Sequence, residues 1–199
     1  MAGALTTTTL KSQNGWPASD NPAAINIITV AVPLKNGTKR MQVAAGIAPA
    51  MIEMLKWWDE NVEPVTELGS YNFREIRGYE GKSIISNHGS GTAIDINASK
   101  HPLGVRGTVP ALIATRLVAK ATSLGLRWGG TYKSRADDMH FEAFSPTLAA
   151  VAQKTAAVAQ KTAVVAVQGA TAGMWFAALG LLAFGGLWVY RRVKGQGPV

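Results

Sequence analysis

Two short segments with the chemistry of a single metal site constrain this chain most. The first, Ser86–Asp95, has the sequence SNHGSGTAID, and the second, Asp137–Glu142, has the sequence DDMHFE and begins 42 residues after Asp95. A catalytic zinc takes three protein ligands from imidazole and carboxylate groups and leaves a fourth position for water. His88, Asp95 and His140 supply that set. The fold must therefore bring the two segments together around one zinc ion.

The carboxylates next to the second histidine supply a candidate general base. Such a base must lie close to the metal ligands without being one of them. Asp137, three residues before His140, fits this role best. Asp138 remains an alternative, because on a strand it would share the face of His140, whereas Asp137 would need a loop or bulge to turn inward. Glu142 alternates with His140 and is predicted to orient that ligand.

The combined pattern, Ser-x-His-x-x-Gly-x-Ala-x-Asp with a later acid-x-x-His, resembles a known family of zinc peptidases. That family includes D-alanyl-D-alanine carboxypeptidases and phage L-alanyl-D-glutamate endopeptidases. The resemblance covers roughly residues 15–145. It extends beyond the ligands to Trp16–Asp20, Ser86–Gly104 and Arg127–Glu142, which are similar to phage-encoded members in particular.

This resemblance implies roles for individual residues. In the family the first His, the Asp and the last His bind zinc, which here are His88, Asp95 and His140. The acid three residues before the last His is Asp137. An arginine upstream of the first motif often holds substrate carboxylate or the developing oxyanion, and Arg74 is the candidate, with Arg77 as the alternative. Further candidates for contact with substrate or for support of the ligands are Ser86, Asp138, Glu142 and Trp128.

The resemblance also implies an activity, which is hydrolysis of a stem-peptide bond in peptidoglycan. The sequence does not separate an L-alanyl-D-glutamate endopeptidase from a D-alanyl-D-alanine carboxypeptidase, since that choice depends on pocket walls in loops. Ser86 is interpreted as a hydroxyl that orders its loop, because zinc-activated water makes a serine nucleophile unnecessary. Two alternatives remain: a non-catalytic module that kept the zinc site as a scaffold, and a membrane-inserting pore component of a phage particle.

Length and composition exclude several other classes of protein. The 199 residues suffice for one domain with appended segments. The absence of cysteine excludes disulfides and a thiolate nucleophile. The net charge of +8 is uneven, because residues 1–147 hold all 12 acids and 15 of the 20 bases, a net charge of +3. Three of the remaining bases directly follow an apolar segment, which indicates a membrane flank and not a nucleic-acid partner.

The pattern of residues 15–145 predicts an α+β domain, a small antiparallel sheet with flanking helices. The predicted elements begin with a buried strand at Ile27–Val32 and a helix from Pro49 that ends before Pro64. A strand at Thr92–Ile96 would present Asp95. A second helix, with Thr108 and Pro110 as start signals, would run to Leu124 and stop at Gly125. The last predicted strands are Leu126–Trp128 and Met139–Phe144.

Segments outside the domain have a different character. Residues 1–14 are polar and rich in threonine, which predicts a flexible arm. Residues 146–168 contain three alanine-rich heptads, LAAVAQK, TAAVAQK and TAVVAVQ, and predict a helical stalk about 35 Å long. Valine and threonine recur three and four residues apart. This seam is compatible with a homo-oligomeric coiled coil, with a single helix, or with packing against virion proteins.

Residues 169–190 predict a transmembrane helix, because their 22 residues carry no charge and match the thickness of a bilayer core. The alternative is a hydrophobic helix buried in an oligomer or a virion channel. The basic tail at 191–199 favours a cytoplasmic C-terminus. We therefore expect a membrane-associated protein whose catalytic domain faces the cell wall, or one carried in a phage virion.

Overall fold

The computed structural model describes residues 10–146, whose strands form three antiparallel sheets. The two helices are α1 (Ala48–Asn61) and α2 (Ala111–Ser123). The strands, in chain order, are β1 (Leu10–Lys11), β2 (Pro17–Ala18), β3 (Ile27–Leu34), β4 (Gly37–Ala44), β5 (Leu68–Gly69), β6 (Ala93–Ile96), β7 (Leu126–Trp128) and β8 (His140–Ala143). This is the predicted α+β architecture with small antiparallel sheets.

The four-stranded sheet, in the order β5-β6-β8-β7, joins the two sequence motifs. Strands β6 and β8 pair antiparallel with Asp95 opposite His140 and Ala93 opposite Glu142. Directly opposite residues in such a pair point to the same face of the sheet. The register therefore brings a residue of the first motif beside a residue of the second.

The hairpin of β3 and β4 differs from its prediction in one respect. The strand predicted at Ile27–Val32 is present and extends to Leu34, but it is not a buried strand. Val32 is the only buried residue of β3, with 1% of its surface exposed. The reason is that, within residues 10–146, β3 pairs only with β4 in a two-stranded sheet, so its outer face stays in contact with solvent.

Helix α1 forms the centre of the hydrophobic core and supports the site from behind. Four side chains at helical spacing are fully buried: Met51, Met54, Leu55 and Trp58. The ring of Trp58 packs edge-to-face on Phe141 of β8, with 5.7 Å between centroids. Since Phe141 directly follows His140, packing of α1 determines where the site strand lies.

Helix α2 begins and ends close to its predicted bounds, but its start differs in detail. Pro110 occupies the N-terminal cap position and provides no capping side chain. Thr108 does not cap the helix, because its hydroxyl donates to Asp138 Oδ2 at 2.7 Å. At the other end Gly125 has φ of 73°, a left-handed conformation that suits glycine and ends a helix.

Residues 10–14 pack on the domain, although their composition places them in a flexible arm. Leu10 pairs with Ala18 across β1 and β2. Ser12 donates a hydrogen bond to Ser90 at 2.8 Å, and Asn14 donates through its side chain to Thr92 at 2.9 Å. These polar residues thus hold the first motif in place.

Several predictions lie outside the described residues. These are the remainder of the arm at 1–9, the stalk beyond residue 146, the transmembrane helix at 169–190 and the tail at 191–199. Among residues 10–146, no helix combines the length and the hydropathy needed to cross a membrane.

Candidate metal centre and active site

A tight turn and two paired strands position the three predicted zinc ligands. His88 lies in a short 3₁₀ turn at Asn87–Ser90, Asp95 on β6 and His140 on β8. Ser86 caps the turn, since its hydroxyl accepts a hydrogen bond from the His88 backbone N–H at 3.3 Å. Gly91 then turns the chain with φ of 64°, and a Cβ there would approach Ile27 Cδ1 to 2.3 Å. Only glycine fits this turn.

The side chains of these residues converge on one point. One ligand atom each of His88, Asp95 and His140 lies within 4.8 Å of the other two. His88 Nε2 is 3.2 Å from Asp95 Oδ2, and His140 Nδ1 is 2.8 Å from Asp95 Oδ1. Both histidines are buried. Two imidazoles and one carboxylate at this separation form the donor set that a catalytic zinc requires.

Each histidine has its other ring nitrogen held by an oxygen. His88 Nδ1 lies 2.8 Å from the backbone oxygen of Ser70, which fixes the ring with Nε2 toward Asp95. His140 Nε2 lies 3.3 Å from Glu142 Oε2, which leaves Nδ1 toward Asp95. Such outer partners orient metal-binding imidazoles in known zinc sites. The residues present therefore fit a zinc ion.

Charges around the ligands are strongly coupled. Burial raises the pKa of Asp95, but hydrogen bonds from His140 and His88 outweigh burial and hold that pKa well below its usual range. Burial lowers the pKa of His140, but hydrogen bonds to Asp95 and Glu142 outweigh it and raise the pKa to about 10. The carboxylate of Asp95 and the two imidazoles therefore interact strongly with one another.

Glu142 forms a buried hub behind His140, with only 2% of its surface exposed. It accepts hydrogen bonds from Asn87, from His140 and from Arg127, whose Nε lies 2.7 Å away. Burial raises the pKa of Glu142, but its bond to His140 and the neighbouring positive charges lower it to about 2. The carboxylate is therefore ionised and ties both motifs to β7.

The structure places the two candidate bases in different surroundings. Asp138 is buried and accepts hydrogen bonds from the Thr108 backbone N–H at 2.9 Å and from its hydroxyl. Asp137 Oδ1 is buried and has no hydrogen-bond partner within residues 10–146. Burial raises the pKa of Asp137 to about 6, and its charge interacts with His140, Asp95 and His88. Asp137 is therefore the candidate whose carboxylate keeps an oxygen without a partner among the described residues and interacts with the charges of the ligands, although it is not among the residues that line the cavity.

A cavity of about 500 Å³ opens in front of His88, Asp95 and His140. Arg74 lines it and is held by a hydrogen bond from Nη1 to the backbone oxygen of Glu75 at 3.0 Å. Burial lowers the pKa of Arg74, and repulsion by Arg77 lowers it further, whereas attraction to Asp95 and Asp137 opposes both. Its Nε is buried without a partner within the described residues.

Of the remaining candidates, some line the cavity and others support it from outside. The two that line it are Ser86 and Arg77. Trp128 is buried, and its indole N–H donates to the backbone oxygen of Asp138 at 2.7 Å. Trp128 is not among the residues that line the cavity, and its indole supports the segment that carries Asp137 and Asp138.

Sequence reasoning missed two cavity residues, Arg127 and Tyr132. The Arg127 guanidinium lies 5.1 Å from the centroid of the Tyr132 ring. Burial and the charge of Glu142, which Tyr132 hydrogen-bonds, raise the pKa of Tyr132 well above its usual range. The sequence held one signal for Arg127, because it lies on one predicted strand and Glu142 lies on the next. Opposite charges on neighbouring strands tend to pair, and in the structure these two residues lie opposite each other.

Comparison with known proteins points to the same kind of site. Residues 80–143 match a family model described as D-alanyl-D-alanine carboxypeptidase. The matched segment contains all three candidate ligands and Asp137. Over these residues the chain is similar to a carboxypeptidase-like peptidase family, whose members depend on zinc and act on peptidoglycan. No curated protein and no solved structure matches the chain.

Proposed function

We propose that this chain is a zinc-dependent peptidase that hydrolyses peptide bonds in the stem peptides of peptidoglycan. The observation that carries the proposal is the convergence of His88, Asp95 and His140, whose charges interact with that of Asp137. The match of residues 80–143 to the carboxypeptidase family supports the substrate class.

His88 Nε2, an Asp95 oxygen and His140 Nδ1 would hold the zinc ion. When bound, zinc supplies a Lewis acid that polarises the scissile carbonyl and lowers the pKa of water. Asp137 accepts the proton of the attacking water and returns it to the leaving nitrogen. The raised pKa of Asp137, about 6, suits this exchange, because a general base works best when its pKa lies near the working pH.

Arg74 supplies the positive charge at the reacting end of the cavity. Its guanidinium interacts with the charges of Asp95 and Asp137, so a substrate group held by it lies close to the candidate base. In this position Arg74 orients a substrate carboxylate or stabilises the oxyanion as it develops. Arg77 lies further out, where it is exposed to solvent.

Mass spectrometry of digested muropeptides tests the proposal and assigns the bond. The full-length chain, purified in detergent and loaded with zinc, is incubated with purified sacculi beside the matched variant His88→Ala. We expect new peptide termini with the wild type only. Cleavage between L-alanine and D-glutamate would define an endopeptidase, and loss of the terminal D-alanine a carboxypeptidase. Zinc bound without any cleavage would contradict the proposal and favour a non-catalytic scaffold.

We further propose that the protein is phage-encoded and acts at the envelope, in lysis or as part of the virion. The support is the resemblance of the motifs to phage members and the apolar segment at 169–190 with its basic flank. Detection of the protein in purified particles would support the virion role. Its presence only in host membranes late in infection would contradict that role and leave lysis.

A further inference from the structure

Positive charge is concentrated at the mouth of the cavity, beyond what the proposed chemistry uses. Five cationic side chains line the cavity: Arg74, Arg77, Arg127, Lys133 and Arg135. The lining acids are Asp95 and Glu142, and both are engaged with the histidines of the metal centre. Arg127 is neutralised by Glu142. The other cations therefore face the cavity in excess over acids.

Arg77, Lys133 and Arg135 are the solvent-exposed cations of the cavity wall and define its mouth, whereas His88 and His140 are buried. All three are exposed; Arg77 lies in the loop before the first sequence motif, and Lys133 and Arg135 lie in the loop before the second. Arg135 Nη1 donates to the backbone oxygen of Arg77 at 2.9 Å, so the two loops meet. Gly78 allows this approach, since a Cβ there would lie 3.3 Å from Arg135 Nη1.

The mouth cations are poorly compensated within the protein. Across the described part of the chain, the side chains of Arg77 and Lys133 form no hydrogen bond or ion pair. The other two cations have acidic neighbours: Arg135 interacts with the charges of Glu80 and Asp137, and Arg74 interacts with those of Glu80, Asp137 and Asp95. Because these acids are shared between Arg74 and Arg135, and Asp95 is also engaged by the histidines, the four cations keep an excess of positive charge that attracts anions.

We infer that Arg77, Lys133 and Arg135 form a second anion-binding position, separate from Arg74, which recognises an internal carboxylate of an acidic peptide substrate. The inference rests on the proposed function and deepens it. A cavity of about 500 Å³ accommodates a drug-sized ligand, and both positions line it, so a short peptide can contact both. The protein then selects stem peptides whose internal carboxylates are free over those in which they are amides.

Binding of two synthetic stem pentapeptides tests this inference without relying on turnover. One pentapeptide carries its internal carboxylates as free acids, and the other carries them as primary amides. Their dissociation constants are measured by calorimetry on the zinc-loaded, full-length Asp137→Asn variant in detergent. We expect the acid form to bind about tenfold tighter, as two or three exposed ion pairs would give.

Substitution of the mouth cations shows which residues cause the preference for the acid peptide. In the same background, Arg77→Gln should weaken binding of the acid peptide about threefold and leave the amide peptide unchanged. Arg77→Gln combined with Lys133→Gln should remove most of the preference. Arg116→Gln is the matched control, because Arg116 is exposed but bonds Asn61 and lies outside the cavity. The preference should also shrink with added salt, since exposed charges are screened.

Equal affinity for the two peptides, or equal loss of both in Arg77→Gln, would overturn the inference. So would the absence of measurable binding of the acid peptide. Cleavage by the wild-type chain is scored separately. If the wild-type chain cleaves stem peptides but the acid peptide binds no tighter than the amide peptide, only the second anion-binding position is refuted. If the acid peptide binds tighter but no peptide is cleaved, only the proposed function is refuted.

Discussion

Replacement of Glu142 by glutamine tests whether the buried hub orients the zinc ligand His140. The substitution keeps the shape but removes the charge and turns one acceptor oxygen into an amide donor, which would face the donors of Asn87 or Arg127. Removing one partner of a buried ion pair costs about 3–5 kcal/mol. Because 49% of the Arg127 side chain is exposed and can turn to water, we expect the lower end, about 3 kcal/mol.

The same substitution should weaken zinc binding. The carboxylate holds His140 Nε2 at 3.3 Å and leaves Nδ1 toward Asp95. Loss of such an outer partner typically lowers metal affinity by about 10–100-fold. The amide oxygen of glutamine can still accept a hydrogen bond from the His140 ring. It lacks the negative charge that strengthens this bond and holds the imidazole in place. We therefore expect a loss of affinity near the middle of that range.

Two measurements on the same sample distinguish a loss of His140 orientation from a general loss of protein stability. Zinc affinity is measured by competition with a chromogenic chelator, and the free energy of unfolding by urea titration of the metal-free protein. Glu53→Gln is the control, since Glu53 is exposed on α1 and pairs with Lys120. A folded Glu142→Gln variant with zinc affinity within twofold of the wild type would refute the role of the hub.

Three further changes have defined outcomes. Gly129→Ala should lower kcat by at least about tenfold, because its Cβ would lie 2.5 Å from the Asp137 backbone oxygen and must displace the candidate base. Gly46→Ala is the control and should leave kcat unchanged, because its Cβ would meet no atom within 4 Å. Equal rates for both variants would contradict the position given for Asp137. Burial raises the pKa of Glu63, but hydrogen bonds from three neighbouring side chains outweigh it and lower the pKa below 4.5. The stability that Glu63 contributes is therefore present above pH 4.5 and lost as pH falls through the lowered value. Glu63→Gln should cost about 1 kcal/mol at pH 7 and progressively less as pH falls below 4.5 in urea titrations, whereas a cost independent of pH would refute this assignment. Leu55→Ala should lower the free energy of unfolding by about 2–5 kcal/mol, because Leu55 is fully buried in the core; a loss below 1 kcal/mol would show that the core is not packed as described.

The metal centre could be predicted from sequence because its requirements are local. The spacing from His88 to Asp95 allows one turn and the start of one strand, and His140 needs only to pair opposite Asp95. The choice of base could not be predicted in the same way. It depends on where β8 begins, which is at His140. Asp137 therefore lies in the preceding turn, and strand alternation does not apply to it.

Features that depend on distant partners were harder to predict. Thr108 has the sequence context of a helix cap, but its hydroxyl is engaged by Asp138, 30 residues away in sequence. The burial of β3 was overestimated because the sequence does not show that the hairpin lacks further strands. The cationic mouth arises from two loops whose approach depends on the conformation at Gly78. Such contacts follow from the tertiary fold and not from local patterns.

The zinc content and turnover of the Asp137→Asn variant test the central claim most directly. Asparagine retains the size of the side chain but cannot exchange a proton, while the ligand group of His88, Asp95 and His140 remains intact. We predict one zinc ion per chain, as in the wild type, with a loss of stem-peptide hydrolysis of at least about 100-fold. Full activity with bound zinc would contradict the account and move the base to another residue.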